Sequence, residues 1–163
     1  MHTYGEPVSG TREDKIRRLE HLSDDLERTV AGMTDAELDT PYRAGGWTVR
    51  QVVRHLADSH INAYTRVRLL LTEHDPTIKP YDQDAWAALP DAQRMPISIS
   101  LALLRPLQIR LAAAFRNAKV EDWSRTAHHP DWGSLTLDHF LNEYSWHGHH
   151  HLEQIDWLRP SKR

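Results

Sequence analysis

The sequence predicts an all-α protein, a four-helix bundle, and three observations carry that prediction. Four long stretches place apolar residues at helical spacing, and no strand-period alternation of useful length interrupts them. Two connections, Thr72 to Ile97 and Lys119 to Ser134, are too long for simple turns, as in bundles with crossover connections. A chain of 163 residues is long enough for one domain, 1–163, with a sizeable core, and no shift in composition marks a second.

The first helix runs from about Thr11 to Gly32. Thr11 with Asp14 resembles a cap, and Ile16, Leu19, Leu22, Leu26, Val30 and Met33 form an apolar seam. Thr34 with Glu37 is a capping-box pattern for a short turn stopped by Pro41, and Gly45-Gly46 marks a loop. The second long helix starts at another capping box, Thr48 with Gln51, with Trp47 as a candidate staple before the cap. Its buried side is Val49, Val52, Val53, Leu56, His60, Ala63, Val67, Leu70 and Leu71. The Thr72–Ile97 connection holds one short helix around Asp84 to Leu89, has the length of a lid or crossover, and would let the flanking helices run parallel. The third helix reads from Ser98 or Ser100 to Asn117, with Leu101, Leu104, Leu107, Leu111 and Phe115 inward and a kink or late start at Pro106. The second connection, with His128, His129, Pro130 and Gly133, reads as a turn-rich loop. Thr136 caps the fourth helix, which ends before Pro160.

That fourth helix carries the chemistry. Its apolar stripe of Leu137, Phe140, Leu141 and Tyr144 resumes only at Ile155 and Leu158, and His147 and His151 fill the gap. Four residues apart on a helix is roughly 40° of rotation and about 6 Å of rise, so both imidazoles leave one face. Two adjacent imidazoles in a core are costly unless their nitrogens find partners, and one divalent cation satisfies both. A single histidine on such a face is more often a hydrogen-bonded core residue, and HGHHH could be a solvated patch; the paired core positions outweigh both readings. His149 and His150 project away from the stripe. A further ligand has to come from elsewhere, and the second helix offers His55 and His60, about 140° apart. Angles alone leave both open; the semi-polar flank shared with Ser59, Asn62 and Arg66 makes His55 the first choice.

Composition narrows the chemistry. Cysteine is absent, which rules out disulfides, thiolate ligands and a cysteine nucleophile. The net charge of −3, with signs mixed throughout, offers no footprint for nucleic acid. No stretch is read as long and apolar enough to span a membrane, and the first ten residues lack a leader's apolar region, so a cytoplasmic protein is expected. Three histidines would leave positions open on the cation, the pattern of a catalytic site, and imidazole alone does not select the metal. A carboxylate di-iron bundle fails on ligand count: Glu143 stands four residues before His147, where Glu-x-x-His is required, and the second helix offers only Asp58. No His-Glu-x-x-His occurs, and two imidazoles from one side do not suit axial haem ligation. Glu143 and Glu153 are possible supporting or acid–base groups, Glu153 reading more as a solvated face; Trp86, Trp123, Trp146 and Trp157 read as packing residues rather than binding platforms.

Three stretches together, WTVRQVVRHLADSHINAYTRVRLLLTE (Trp47–Glu73), TIKPYDQDAWAALPD (Thr77–Asp91) and LNEYSWHGHHHLEQI (Leu141–Ile155), closely resemble the YfiT-like branch of the DinB superfamily. The resemblance covers about Gly46 to Trp157. It implies an up-down-down-up bundle with a three-histidine nickel or zinc site, about one ion per chain. Carried over residue by residue, the ligands are His55, His147 and His151, none of them substituted. It further implies a metal-dependent enzyme on a small-molecule substrate: a hydrolase activating water, or an S-transferase activating a low-molecular-weight thiol such as bacillithiol, mycothiol or glutathione. Thiol transfer is slightly favoured, because the site as read offers no obvious general base beyond the cation. A homodimer is expected from the resemblance alone. The competing expectation is a non-catalytic metal- or ligand-binding bundle.

Overall fold

The computed structural model describes residues 8–158; Pro160, expected to follow the last helix, lies outside them. Four long helices form the bundle: α1 (Arg12–Val30), α3 (Val49–Thr72), α6 (Ile97–Arg116) and α7 (Leu137–Asp156). Short helices α2 (Asp35–Leu38), α4 (Gln83–Ala87) and α5 (Pro90–Arg94) punctuate the connections. Threonine opens most of them. Thr11, Thr34 and Thr48 each form a reciprocal capping box with Asp14, Glu37 and Gln51, and the Thr136 side chain accepts from the His139 backbone. Each box satisfies two of the donors that a helix start leaves unpaired.

Side-chain contacts fix the helix directions. On α1 and α6, Glu13 and Glu20 meet Arg116 while Asp24 and Glu27 meet Arg105, so the two are antiparallel. On α1 and α7, Arg12 meets Asp138 and Lys15 meets Asn142, so these run parallel. On α3 and α6, His60 meets Gln108 and Tyr64 lies under Arg110, a parallel pair. On α3 and α7, His55 meets His147 and Arg66 meets Tyr144, an antiparallel pair. In chain order that is up-down-down-up. Parallel α3 and α6 require a long crossover, which is why residues 73–96 return along the bundle rather than turning tightly.

Several expectations need correction. The second connection is not loop throughout: after a 3-10 turn at Val120–Ser124 it forms a hairpin of β1 (Thr126–His129) and β2 (Gly133–Thr136). Four residues per strand are too few to leave a periodic signal in the sequence, and Gly133 at φ +73° supplies the left-handed turn residue. The crossover holds two short helices rather than one. α6 begins at Ile97 and continues through Pro106, with no late start; Pro106 itself is exposed. Its buried seam is Leu104, Gln108, Leu111, Ala112 and Phe115, with Leu101 and Leu107 only half-buried. By length and composition α6 is apolar enough to cross a membrane, a threshold the sequence was not expected to reach, yet its inward seam packs on α1 and α3. Trp157 is 81% exposed rather than packed, because it points to solvent between Ile155 and Leu158, which face the core.

The apolar core has two parts. One gathers Leu19, Val67, Leu70, Leu111, Phe115 and Leu141; the other gathers Leu22, Leu26, Val53, Leu56, Leu104 and Ile155. On α3 the first part begins at Ala63 and the second ends at Leu56. His55, Ser59, His60 and Gln108 fill the level between them.

Candidate metal centre

At that level α3 and α7 bring together the three histidines expected from the sequence. Antiparallel packing sets His55 opposite the His147–His151 pair, which share one face of α7. His147 Nε2 lies 3.0 Å from His55 Nε2 and 3.2 Å from His151 Nε2, and one ligand nitrogen from each ring falls within 4.8 Å of the others. His60 is not in the cluster. It is fully buried against α6 with Nδ1 2.7 Å from Gln108 Nε2.

The rings are electrically suited to ligation. Burial, and secondarily repulsion from the neighbouring histidines, pushes His55 and His147 well below the ordinary imidazole pKa. Burial brings His151 down to about 4. All three are neutral at pH 7, as a nitrogen ligand must be. Gln154 Oε1 lies 2.8 Å from His151 Nδ1 and accepts its proton, so His151 Nε2 is left with its lone pair facing the cluster. A shared proton can bridge only one pair of three converging nitrogens. Two nitrogens on one cation at about 2.0–2.1 Å lie about 2.9 Å apart along an octahedral edge and about 3.4 Å along a tetrahedral one. The spacings of 3.0 and 3.2 Å fall between these values, so the donor set fits a divalent cation of the imidazole-binding kind.

The cluster opens onto a cavity of about 900 Å³. Ser59, Tyr81, Glu143, Trp47 and Trp146 are among the residues lining it. Glu143, one helical turn before His147, is 4% exposed, which places an acidic side chain in the wall beside the triad. Trp47, the candidate staple, reaches the site: its ring lies tilted against that of His55 with centres 4.6 Å apart, and its Nε1 donates to Asp84 at 3.1 Å. Trp146 lines the cavity too, stacked on His150 at 4.6 Å, and so departs from the packing role expected of it. Trp123 does pack, against Phe115, and half-exposed Trp86 lies on Tyr81. His150 reaches Gln154 at 2.8 Å, while His149 is exposed and pairs with Glu153 on the solvent face.

Tyr81, Gln154 and Gln108 were not singled out from sequence. Gln154 stands three residues after His151, a legible offset for a supporting side chain. Gln108 lies four residues after Leu104 and three before Leu111, on the buried seam itself. Tyr81 carries no comparable signal, because the crossover's path decides where it points.

The buried histidines predict a pH dependence of the metal-free fold. In the unfolded chain they titrate at about 6.5, whereas burial holds His60 at about 3 and His151 at about 4 in the folded protein. As pH falls from 6.5 to 4 the unfolded state takes up protons that the folded state does not, so stability falls with it. At about 1.4 kcal/mol per proton and pH unit, these two rings alone make the loss several kcal/mol. Urea unfolding in chelator at pH 7.0, 5.5 and 4.5 checks this; a flat profile would contradict it.

Comparisons place the chain among known proteins. The family model described as DinB superfamily matches residues 18–155. A protein of Bacillus cereus (strain AH820) named "Putative metal-dependent hydrolase" is 43% identical over 158 residues, covering 96% of this chain and 91% of its own. The structure of YfiT from Bacillus subtilis, described as a probable metal-dependent hydrolase with an unusual four-helix bundle topology, superposes with a TM-score of 0.90 at 45% identity, covering 96% of this chain and 91% of that one. TT2238, a four-helix bundle protein, aligns with a TM-score of 0.63 at 24% identity over 88% of this chain and 96% of its own, a likeness of fold.

Proposed function

The chain belongs to the DinB superfamily, and from that premise we propose that it is a metal-dependent hydrolase whose cation is held by His55, His147 and His151. The observation that carries the proposal is the convergence of three neutral imidazole nitrogens at the floor of a large cavity. A divalent cation there, zinc or nickel being the expected choices, supplies Lewis acidity that acidifies a water or thiol beside it.

The chain's own groups do the rest. Glu143 is the proton acceptor: as the water oxygen bonds to an ester or amide carbonyl carbon, the carboxylate takes its proton and hands it to the leaving group as the old bond breaks. Ser59 and Tyr81 face the same cavity and can hold the substrate by hydrogen bonds. Trp47 shields the far side of His55 from solvent, and Gln154 keeps His151 in the ligating tautomer. A buried carboxylate in the wall moves the balance towards hydrolysis. The roughly 900 Å³ cavity supports a second reading, in which a low-molecular-weight thiol and its acceptor both fit and the activated thiol is the nucleophile.

Elemental analysis of untagged protein beside His55→Ala and Glu143→Gln tests the assignment. The wild type should hold about one zinc or nickel per chain and His55→Ala should lose it. Glu143→Gln should keep the metal while ester turnover falls by about 10²-fold or more. Turnover of thiol acceptors but not esters would select the second reading. A metal-loaded protein inert to both classes would favour a binding bundle, and a metal-free wild type would sink the enzyme reading.

A further inference from the structure

The polar level between the two apolar halves extends beyond the triad. His60 on α3 and Gln108 on α6 are both 0% exposed, and they touch each other at 2.7 Å. An imidazole and an amide in a helical core destabilise it, relative to apolar residues of the same shape, unless their polar atoms are matched. Within this pair they are not. His60 Nε2, Gln108 Oε1 and His147 Nδ1 are all buried without a hydrogen-bond partner among the described residues. The His60 ring lies 5.8 Å, centre to centre, from that of His147. α6 contributes no residue to the triad, so Gln108 is its reach towards it.

We propose that Gln108 and His60 are positioning residues that set the tautomer and orientation of His147. The two ends of an amide have the same shape, and hydrogen bonding decides which end faces a neighbour. With the Gln108 oxygen turned to His60, it accepts from Nδ1–H. His60 Nε2 then carries a lone pair for the His147 Nδ1 proton through one buried water. That pairing leaves the lone pair of His147 on Nε2, the atom facing His55 and His151. In the opposite orientation His60 Nε2 and His147 Nδ1 would both be donors, and neither would be matched. The pair thus fixes the one histidine that makes both short contacts, much as Gln154 fixes His151.

The inference rests on the triad as a metal site, and its test separates the two. Zn²⁺ and Co²⁺ affinities are measured by chelator competition for wild type and Gln108→Leu, beside urea unfolding of the metal-free proteins. Gln108→Leu removes the acceptor for His60 and the partnerless end of the amide together, so metal-free stability should change little, while affinity falls about 10–100-fold and the visible Co²⁺ spectrum changes. Gln108→Glu, which restores an acceptor for His60, should recover most of the affinity. If the leucine variant does not fold, Gln108→Met gives the same comparison. Wild-type affinity in a folded variant overturns the inference, as does a loss of stability and affinity together, which marks a packing role. A wild type that binds neither ion overturns the triad assignment itself.

Discussion

Replacing His147 with alanine should all but abolish binding of a divalent cation. His147 Nε2 makes both short contacts in the cluster, to His55 and to His151, so its loss removes the central ligand and leaves only His55 and His151, two donors where three converged. The fall should exceed the about 10–100-fold typical of losing an outer partner, because a direct ligand is removed. The fold should survive. Truncation deletes a half-buried imidazole with an unmatched Nδ1, and that relief offsets part of the cost of the void it leaves. Calorimetric Zn²⁺ titration and far-ultraviolet circular dichroism of the metal-free protein measure the two effects. Stoichiometric metal retained by a folded His147→Ala protein would refute the assignment.

Gly148→Val should destabilise the protein by about 3 kcal/mol, towards the upper end for overpacked cores. A Cβ at Gly148 would lie 2.5 and 2.8 Å from the two terminal carbons of Leu22, which is itself buried on α1. In mid-helix, glycine costs about 1 kcal/mol relative to alanine, so its presence in HGHHH reflects the close approach of α1 to α7. The strain would act between the two α7 ligands, and metal affinity should fall with stability. Leu22→Ala makes room, so the double variant should be clearly more stable than the sum of the single losses predicts. Denaturant unfolding of the four proteins gives the coupling; strict additivity would show that the two residues do not press on each other.

How much was legible follows from the kind of signal each feature leaves. The capping threonines announce four helix starts because a cap is local: one hydroxyl and a partner three residues on. His147 and His151 were legible because they interrupt an apolar stripe at helical spacing. Choosing His55 over His60 took a family likeness, since both lie on or beside the buried side of α3 and only packing decides which ring meets α7. Gln108 was passed over because a polar residue among leucines reads as surface, although it stands on the seam. Glu143 drew notice as a possible acid–base group, but Glu153 was named beside it, because the cavity wall that Glu143 joins is built from segments distant in sequence. The hairpin escaped because TAHH and GSLT acquire strand form only by pairing with each other.

The parallel run of α3 and α6 sets a minimum reach for the chain between them. Returning along a helix of 24 residues means covering roughly 36 Å, which about eleven extended residues achieve. Positions 73–96 therefore hold about a dozen more residues than the span requires. That slack is where α4, Tyr81, Gln83 and Asp84 are found, and it forms one wall of the cavity. Two constraints are thereby uncoupled. The helices that carry the histidines are bound by the bundle's packing, whereas the facing wall can gain, lose or exchange residues without shortening the crossover below its reach. A bundle of this topology can change what its cavity admits while leaving the histidine floor in place.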